Sequence, residues 1–562
     1  MPSTVAIPRP QRWDQPFGDE PLTEDSINRL LAQPCMTSID PEAFPANRSL
    51  RDLLQNDARP LEIRRGEILL RRGDYGSSVF IVMAGELRTI TDPEGHAALT
   101  SSPPIVKRSW LAALRQAWQR PAHRELRHGF GLPPSLIKIP KGGVESRSAH
   151  TSLYDVEGFL TEYPGKILQV GSMFGEIAAL RRGPRTATVV ASTDTQLIEI
   201  RWQGLRDLMR DAPVLRDRIQ ALLLGREPVL DTFPLFSQLS AETLKSIARA
   251  SSTQACGDGE WHHRLKEARR NPASVEESEI CVIEEGAEIE NLLVVLAGFA
   301  RVSVQAGPGL RTLGFLRPGD VFGIQEIVES ERGKPPPTAT TSLRAVGAVD
   351  LLQIPIGVVQ EELLPELDPL DIQEVIENQH RTDDLPQPLL DFLMDQRTPN
   401  GTQTMLIDTR RCIDCDDCVR ACATTHGGNP RFIRKGPRHA HVMIATACMH
   451  CVDPVCLIGC PTGAIQREPR SGTVIIDEST CIGCESCVNS CPYGNIRAVE
   501  VRNPEGGLYV NQQSRRPVTK ATKCDLCTSQ PSGPACVNAC PHDALTRVDL
   551  GDRGALVDWL TR

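Results

Sequence analysis

Sixteen of the nineteen cysteines in this chain fall between Cys412 and Cys540, in four groups of four. The groups are Cys412-Cys415-Cys418-Cys422, Cys448-Cys451-Cys456-Cys460, Cys481-Cys484-Cys487-Cys491 and Cys524-Cys527-Cys536-Cys540. Three end in Cys-Pro, at Pro461, Pro492 and Pro541. A segment this dense in thiols must fold around whatever the thiols hold. Four thiolates satisfy the four irons of one [4Fe–4S] cube, and a C-x2-C-x2-C loop wraps three of its corners. The pattern therefore reads as ligands for four [4Fe–4S] clusters. Disulfides fit poorly, since no secretory signal is visible and their usual setting is an oxidising compartment. Zinc sites share the C-x2-C pair, but they do not usually run as repeated triplets with a trailing Cys-Pro. The prolines are expected at helix starts, where a missing N–H costs nothing.

At 562 residues the chain should hold three or four domains. Its net charge of −9 gives no reason to expect a nucleic-acid partner. No run of 18 apolar residues appears, so no membrane span is expected. The first twenty residues lack an apolar h-region. A cytoplasmic location, where thiols stay reduced, is the simplest reading. Cys35, Cys256 and Cys281 lie outside the cysteine-rich segment, and Cys281, inside Ile280-Cys281-Val282-Ile283, reads as a buried core thiol.

The first two thirds repeat. Gly73 and Gly85 recur as Gly286 and Gly298, an offset of 213, each pair flanking an apolar run. Phe174-Gly175 recurs as Phe322-Gly323, an offset of 148, so the first copy carries 65 extra residues. Two related domains explain this economically. Both read as short β-branched strands punctuated by glycine, the pattern of a small β-roll. Gly204 to Leu224 then turns helical in period, with Pro213 expected to kink or split it.

One motif in the first copy carries chemistry: Phe174-Gly175-Glu176-Ile177-Ala178-Ala179-Leu180, then Pro184-Arg185-Thr186-Ala187. A turn opening a short helix offers N–H groups to a phosphate. An arginine ten residues after Gly175 can neutralise that phosphate through two hydrogen bonds. This resembles the phosphate-binding cassette of cyclic-nucleotide-binding domains, over roughly residues 48–225 apart from the insertion. The resemblance implies Arg185 on the cyclic phosphate, Glu176 on the ribose 2′-OH, and Gly175 and Ala178 near the ligand. Thr186 is a weak pointer towards cGMP over cAMP. In the second copy Ile324 replaces the glutamate and Pro337 the arginine, so that copy is expected to keep the fold and lose the ligand. In the insertion, Trp110, Leu111, Leu114 and Trp118 share a helical face and read as core, with docking on a partner or membrane surface as the alternative.

The last third, residues 403–549, resembles the four-cluster ferredoxin-type electron-transfer subunits of molybdopterin oxidoreductases, formate dehydrogenases and some nickel–iron hydrogenases. The likeness rests on Leu406-Ile407-Asp408, Cys448-Met449-His450-Cys451, Cys460-Pro461-Thr462-Gly463, Cys491-Pro492-Tyr493-Gly494 and Thr522-Lys523-Cys524-Asp525-Leu526-Cys527. It implies that the first group pairs with the fourth and the second with the third. One cluster then takes Cys412, Cys415, Cys418 and Cys540, and its neighbour Cys524, Cys527, Cys536 and Cys422. The other two take Cys448, Cys451, Cys456 and Cys491, and Cys481, Cys484, Cys487 and Cys460.

The expected architecture is a multidomain α+β chain: two β-roll cyclic-nucleotide-binding-like domains followed by a ferredoxin-like four-cluster domain. Its parts are an N-terminal extension (1–47), a nucleotide-binding domain (48–228) with an insertion near 95–160, a degenerate copy (229–364), a connector (365–402) and the cluster domain (403–562). No nucleophile elbow, H-E-x-x-H or dinucleotide fingerprint appears, so no catalytic site is expected. The function expected is electron transfer to or from a separate catalytic subunit (a molybdopterin enzyme, a hydrogenase or a flavoprotein), gated by cAMP or cGMP. The alternative is a redox-sensing regulator. The helical stretch after the first roll is the expected route of coupling, with the second roll as relay.

Overall fold

The computed structural model describes the chain except residues 1–4, 9–10, 19–21, 92–155, 182, 224–229, 231–232, 258–260, 269–278, 331–335, 381–384, 503–506, 529, 531, 551–552 and 562. The stripe at Trp110–Trp118 lies outside the described residues.

The apolar runs between the glycines form two rolls of eight strands. The first holds β1 (Ala58–Ile63), β2 (Ile68–Leu70), β3 (Val79–Ala84), β4 (Leu87–Ile90), β5 (Lys166–Leu168), β6 (Met173–Phe174), β7 (Thr188–Ala191) and β8 (Thr195–Ile200). The second holds β9 (Ser252–Cys256), β10 (Ile280–Ile283), β11 (Asn291–Ala297), β12 (Ala300–Ala306), β13 (Gly309–Leu316), β14 (Val321–Phe322), β15 (Ser342–Ala345) and β16 (Val349–Pro355). Each roll packs two four-stranded sheets. The orders are β1-β8-β3-β6 and β2-β7-β4-β5 in the first, β9-β16-β11-β14 and β10-β15-β12-β13 in the second. Adding eight to every label of the first roll gives the second. The irregularities repeat too, with register shifts at Val82/Ala84 and at Val295/Ala297.

The recurring glycines have a steric reason. Gly85 and Gly298 turn β3 into β4 and β11 into β12 at φ of +87° and +78°. A Cβ there would lie 2.5 Å from the Asp194 carbonyl oxygen in one roll and 2.1 Å from that of Ala348 in the other, so only glycine fits.

The two sheets of the first roll close over Phe80, Val82, Leu168, Phe174, Val189 and Leu197. The helical stretch that follows is split, as Pro213 predicts, into α2 (Trp202–Asp211) and a second helix, Pro213–Leu223. Residues before the roll join this part of the fold: Leu30, Leu53 and Leu54 share a core with Leu205 and Leu208. Buried Asp57 and Asp207 are paired by Arg12, and Asp57 also by Arg201 (2.6 Å). Residues Val5–Ile7 run further, pairing parallel with Tyr509–Asn511 near the other end of the chain. The N-terminal segment thus ties the first roll to the cysteine-rich region.

In that region, Thr404–Asp408 pairs on one side with Val442–Ile444 and on the other with Leu545–Val548, and two smaller hairpin-like pairs complete the sheets. The connector packs here as well, through Leu389, Leu390 and Leu393 against Leu406, Val442 and Trp559. Two expectations need correcting. Cys281 is half-buried beside the exposed Ile280, because β10 is a sheet edge, whereas Cys35 is buried. Pro461, Pro492 and Pro541 open turns, and the short helices lie just before them, each carrying the third cysteine of its group. Among the described residues no helix is long and apolar enough to cross a membrane.

Candidate functional site

In the first roll, β6 delivers the chain to Gly175 at φ +88° and then to α1 (Glu176–Arg181). A Cβ on Gly175 would meet the Arg185 Nη1 at 2.8 Å and the Ser78 oxygen at 3.2 Å. The absent side chain leaves room for Arg185, which is 3% exposed. Its Nη1 donates to the carbonyls of Gly175 (2.8 Å) and Ser78 (3.0 Å), and its guanidinium lies 5.6 Å from the Phe80 ring centre. Gly175, Glu176, Ala178, Arg185 and Thr186 all line one cavity of about 750 Å³. That size is typical of ligand pockets, roughly 300–1,000 Å³. Burial pushes the Glu176 carboxyl up, against the lowering effect of its own helix N–H, Arg185 and Lys166. Its Oε2 is buried with no hydrogen-bond partner. An oriented arginine and an unsatisfied carboxylate oxygen in one cavity fit a ligand with an anionic group and a hydroxyl. Lys166 also lines the cavity, and so does Lys245 on α3 (Ala241–Ala250), at the start of the second roll. Neither lysine belongs to the cassette that identified the site in the sequence.

The second roll builds the same turn with Gly323 at φ +93° and a short helix, α5 (Ile324–Glu329). Ile324, in place of glutamate, is 0% exposed and joins the core. Ile289 stands 213 residues after Gly76 and is also fully buried. Its Cγ2 would lie 3.2 Å from a Cβ on Gly323, on the side where Arg185 approaches Gly175 in the first roll. Hydrocarbon thus stands where the first roll has charge. The Gly76–Ile289 difference lay in the repeat alignment and was a missed signal.

The sixteen cysteines gather into four groups. Cys412, Cys415, Cys418 and Cys540 line one cavity; Cys460, Cys481, Cys484 and Cys487 line another. Cys422, Cys524 and Cys527 lie close enough to Cys536 to act on its thiol, and Cys448, Cys456 and Cys491 do the same to Cys451. Each group takes its lone member from the partner segment. Burial, with neighbouring thiols, pushes Cys487 and Cys536 up to about 12 and Cys418 to about 11. Thiols buried this way favour the protonated form unless a cation compensates the thiolates, which is what iron bound by four of them does. The donor set therefore fits the cluster chemistry.

Sequence reasoning missed the contacts between the pocket-bearing roll and this region. From α2 and the residue before it, Arg201 donates to the Thr462 carbonyl (2.8 Å), Gln203 to that of Cys460 (3.1 Å) and Arg206 to that of Ile458 (3.1 Å). The backbone of Arg185 is hydrogen-bonded to Asp74 (2.7 Å), and the next residue, Tyr75, donates its N–H to Pro469 (2.7 Å). The Tyr75 ring lies 4.7 Å from the Arg467 guanidinium, and Arg467 holds the Cys451 carbonyl (2.7 Å). The second roll touches the region separately, through Trp261 and Leu265 on α4 (Trp261–Ala268) and through Arg317 on Asp549 (2.7 Å). The first roll thus touches the cysteine segments directly.

Two family models match. Residues 439–550 match the 4Fe-4S dicluster domain, and residues 161–212 and 277–364 match the cyclic nucleotide-binding domain. Electron transport protein HydN of Escherichia coli (strain K12) is 37% identical over 158 residues, which are 26% of this chain and 87% of HydN. The arsenate respiratory reductase iron-sulfur subunit ArrB of Shewanella sp. (strain ANA-3) is 30% identical over 202 residues, 28% of this chain and 86% of ArrB. Hydrogenase-4 component A of Escherichia coli (strain K12) is 34% identical over 167 residues, 25% of this chain and 79% of that protein. Among solved structures, the regulatory domain of Toxoplasma gondii PKA with cAMP is 14% identical, covering 64% of this chain and 97% of that one at a TM-score of 0.20. The β-roll assignment rests on the strand order and the family model, not on that score.

Proposed function

Because this chain belongs to the family of iron–sulfur electron-transport proteins that includes HydN, with cyclic nucleotide-binding domains ahead of its 4Fe-4S dicluster domain, we propose that it carries electrons through four clusters under nucleotide control. Cys412, Cys415, Cys418 and Cys540 hold one cluster; Cys422, Cys524, Cys527 and Cys536 a second; Cys448, Cys451, Cys456 and Cys491 a third; Cys460, Cys481, Cys484 and Cys487 a fourth. When bound, each supplies one-electron chemistry at a potential set by its surroundings. The protein's own part is to bury the thiols, space them and exclude water. The electrons pass to or from a separate catalytic oxidoreductase subunit in the cytoplasm. A hydrogenase or a respiratory reductase fits the relatives, two of which are named as a hydrogenase component and a reductase subunit.

Cyclic nucleotide, cAMP or cGMP, occupies the first-roll cavity, with Arg185 on the phosphate and Glu176 on the ribose hydroxyl. Arg185 then exchanges carbonyl partners for a charged one. Because its backbone is paired beside Tyr75, and α2 holds the Cys460 segment, the ligand biases how the roll sits on the cluster region. It can do so only by its differential affinity for two arrangements, typically about 1–3 kcal/mol.

The observation that carries the reading is the gathering of sixteen thiols into four crossed groups of four beside a roll whose cavity is lined by Glu176 and Arg185. Anaerobically purified protein should hold about sixteen irons per chain, four per cubane. Stoichiometric zinc with little iron or sulfide would overturn it.

A further inference from the structure

Two cations stand at the Cys448, Cys451, Cys456 and Cys491 group, half-buried Arg467 and buried Lys523, and a third, half-buried Arg547, stands between this group and that of Cys524; among the described residues none of them forms an ion pair. Arg467 donates Nη2 to the carbonyls of Cys451 (2.7 Å) and Val452 (2.6 Å), and Nη1 to that of Gly472 (2.9 Å). Lys523, 3% exposed, donates to the carbonyls of Cys524 (3.0 Å) and Val474. Arg547 donates Nη1 to the carbonyls of Cys448 (2.9 Å) and Gln403 (2.8 Å), and Nη2 to the Cys524 sulfur (2.9 Å). The Nε atoms of both arginines are buried without a hydrogen-bond partner. Asp453 acts on Arg467 and Cys451 from a distance and offsets part of the charge. Between the cations lies buried His450, whose Nδ1 accepts from the Val474 N–H (3.1 Å), so its remaining proton sits on a buried Nε2.

Arg547 is shared with the Cys422, Cys524, Cys527 and Cys536 group, and three further arginines near the remaining cysteines are paired. Arg434, 3.8 Å from the Cys412 sulfur, is paired with Asp414 and with Asp416 (3.0 Å). Arg431, whose N–H donates to the Cys422 sulfur (3.2 Å), is paired with Asp525 (2.9 Å) and Glu478 (3.1 Å). Arg201, beside the Cys460 segment, is held by Asp57 (2.6 Å). A carboxylate answers each of these three arginines, which leaves the Cys524 group only the shared Arg547, against Arg467 and Lys523 as well at the Cys448 group.

Burying a cation without a carboxylate is costly unless another negative charge compensates. A cluster held by four thiolates supplies that charge, and reduction by one electron adds to it. Uncompensated cations therefore stabilise the reduced form more than the oxidised form, and raise the potential. On the four-cluster reading above, we propose that Arg467 and Lys523, in addition to the shared Arg547, make the cluster of Cys448, Cys451, Cys456 and Cys491 the first of the four to be reduced, and so the place where a single electron rests in the chain. The step is a bare one-electron transfer: the donor loses the electron, the cluster gains it, and no proton is required because the compensating charge is already fixed in the side chains.

The test is a mediated dithionite titration of the full, anaerobically purified chain, followed by electron paramagnetic resonance. In Lys523→Met and in Arg467→Met, the component reduced first in the wild type should become at least tenfold harder to reduce, which is 59 mV for a one-electron couple. Lys523→Arg should restore it, and Arg434→Met should leave it in place. If Lys523→Met loses iron, Arg467→Met alone carries the same test. Full iron content with the first-reduced component unmoved in the methionine variants overturns the proposal, as does a shift confined to a later component. Wild-type protein with markedly fewer than sixteen irons would instead overturn the four-cluster reading itself.

Discussion

The two β-rolls share their strand order, their register shifts and their glycine turns, yet one presents an arginine and a glutamate to a cavity and the other lacks both. In the first, Gly76, Glu176 and Arg185 stand where the second has Ile289, Ile324 and Pro337. Ile289 and Ile324 are fully buried and have become part of the roll's core. The fold therefore depends on alternating strand residues and on turns that only glycine allows, whereas the ligand chemistry depends on a few side chains laid over it. A duplicated domain can lose the second without losing the first.

The largest effect should come from forcing the first roll's charge on the second. Ile324→Glu buries a carboxylate opposite hydrocarbon, with no arginine at position 337, and should destabilise the chain by about 3 kcal/mol or more. Glu176→Ile should cost far less. Thermal or denaturant unfolding checks this, and equal losses at the two sites would break the comparison. Adding Pro337→Arg to Ile324→Glu should recover part of the loss if the two positions face each other as Glu176 and Arg185 do.

A smaller effect is expected in binding. Calorimetry with cAMP or cGMP should find one site per chain, and Arg185→Ala should weaken it by about 1.5–3 kcal/mol, the worth of hydrogen bonds to a charged group. Two equivalent sites would show that the second roll still binds.

The smallest effect concerns pH. Burial raises the Glu176 carboxyl in the folded chain. Below the unfolded value both states are protonated and nothing is lost. As pH rises through the unfolded value, the unfolded state ionises first and stability falls until the folded carboxyl also ionises. Glu176→Gln removes that loss, so its stability relative to wild type should be unchanged in acid and improve towards neutrality. A pH-independent difference would mean that Glu176 feels no burial cost.

Spacing made the cysteine groups legible, because cluster ligation fixes local geometry, and the glycine repeat made both rolls legible for steric reasons. The cassette at Gly175, Glu176 and Arg185 was readable because it lies within eleven residues of sequence. Contacts between distant segments were not. Nothing local marks Gln203 as the partner of the Cys460 carbonyl, Tyr75 as the neighbour of Arg467, or Val5–Ile7 as a strand beside Tyr509–Asn511. Lys523 adjoins Cys524, but its burial without a carboxylate exists only once three segments have met. Cys281 misled because an apolar run reads the same at a sheet edge as in a core.

The central claim is that a nucleotide in the first roll acts on electron flow through the cluster region. The most direct measurement is the rate at which the reduced full chain passes electrons to its isolated redox partner, with and without saturating cyclic nucleotide, in wild type and Arg185→Ala. The expected result is a nucleotide-dependent change of roughly 5–150-fold in partner affinity, or a comparable change in rate, in wild type alone. An identical rate and affinity with and without nucleotide, in wild-type protein shown to bind it, would contradict the account.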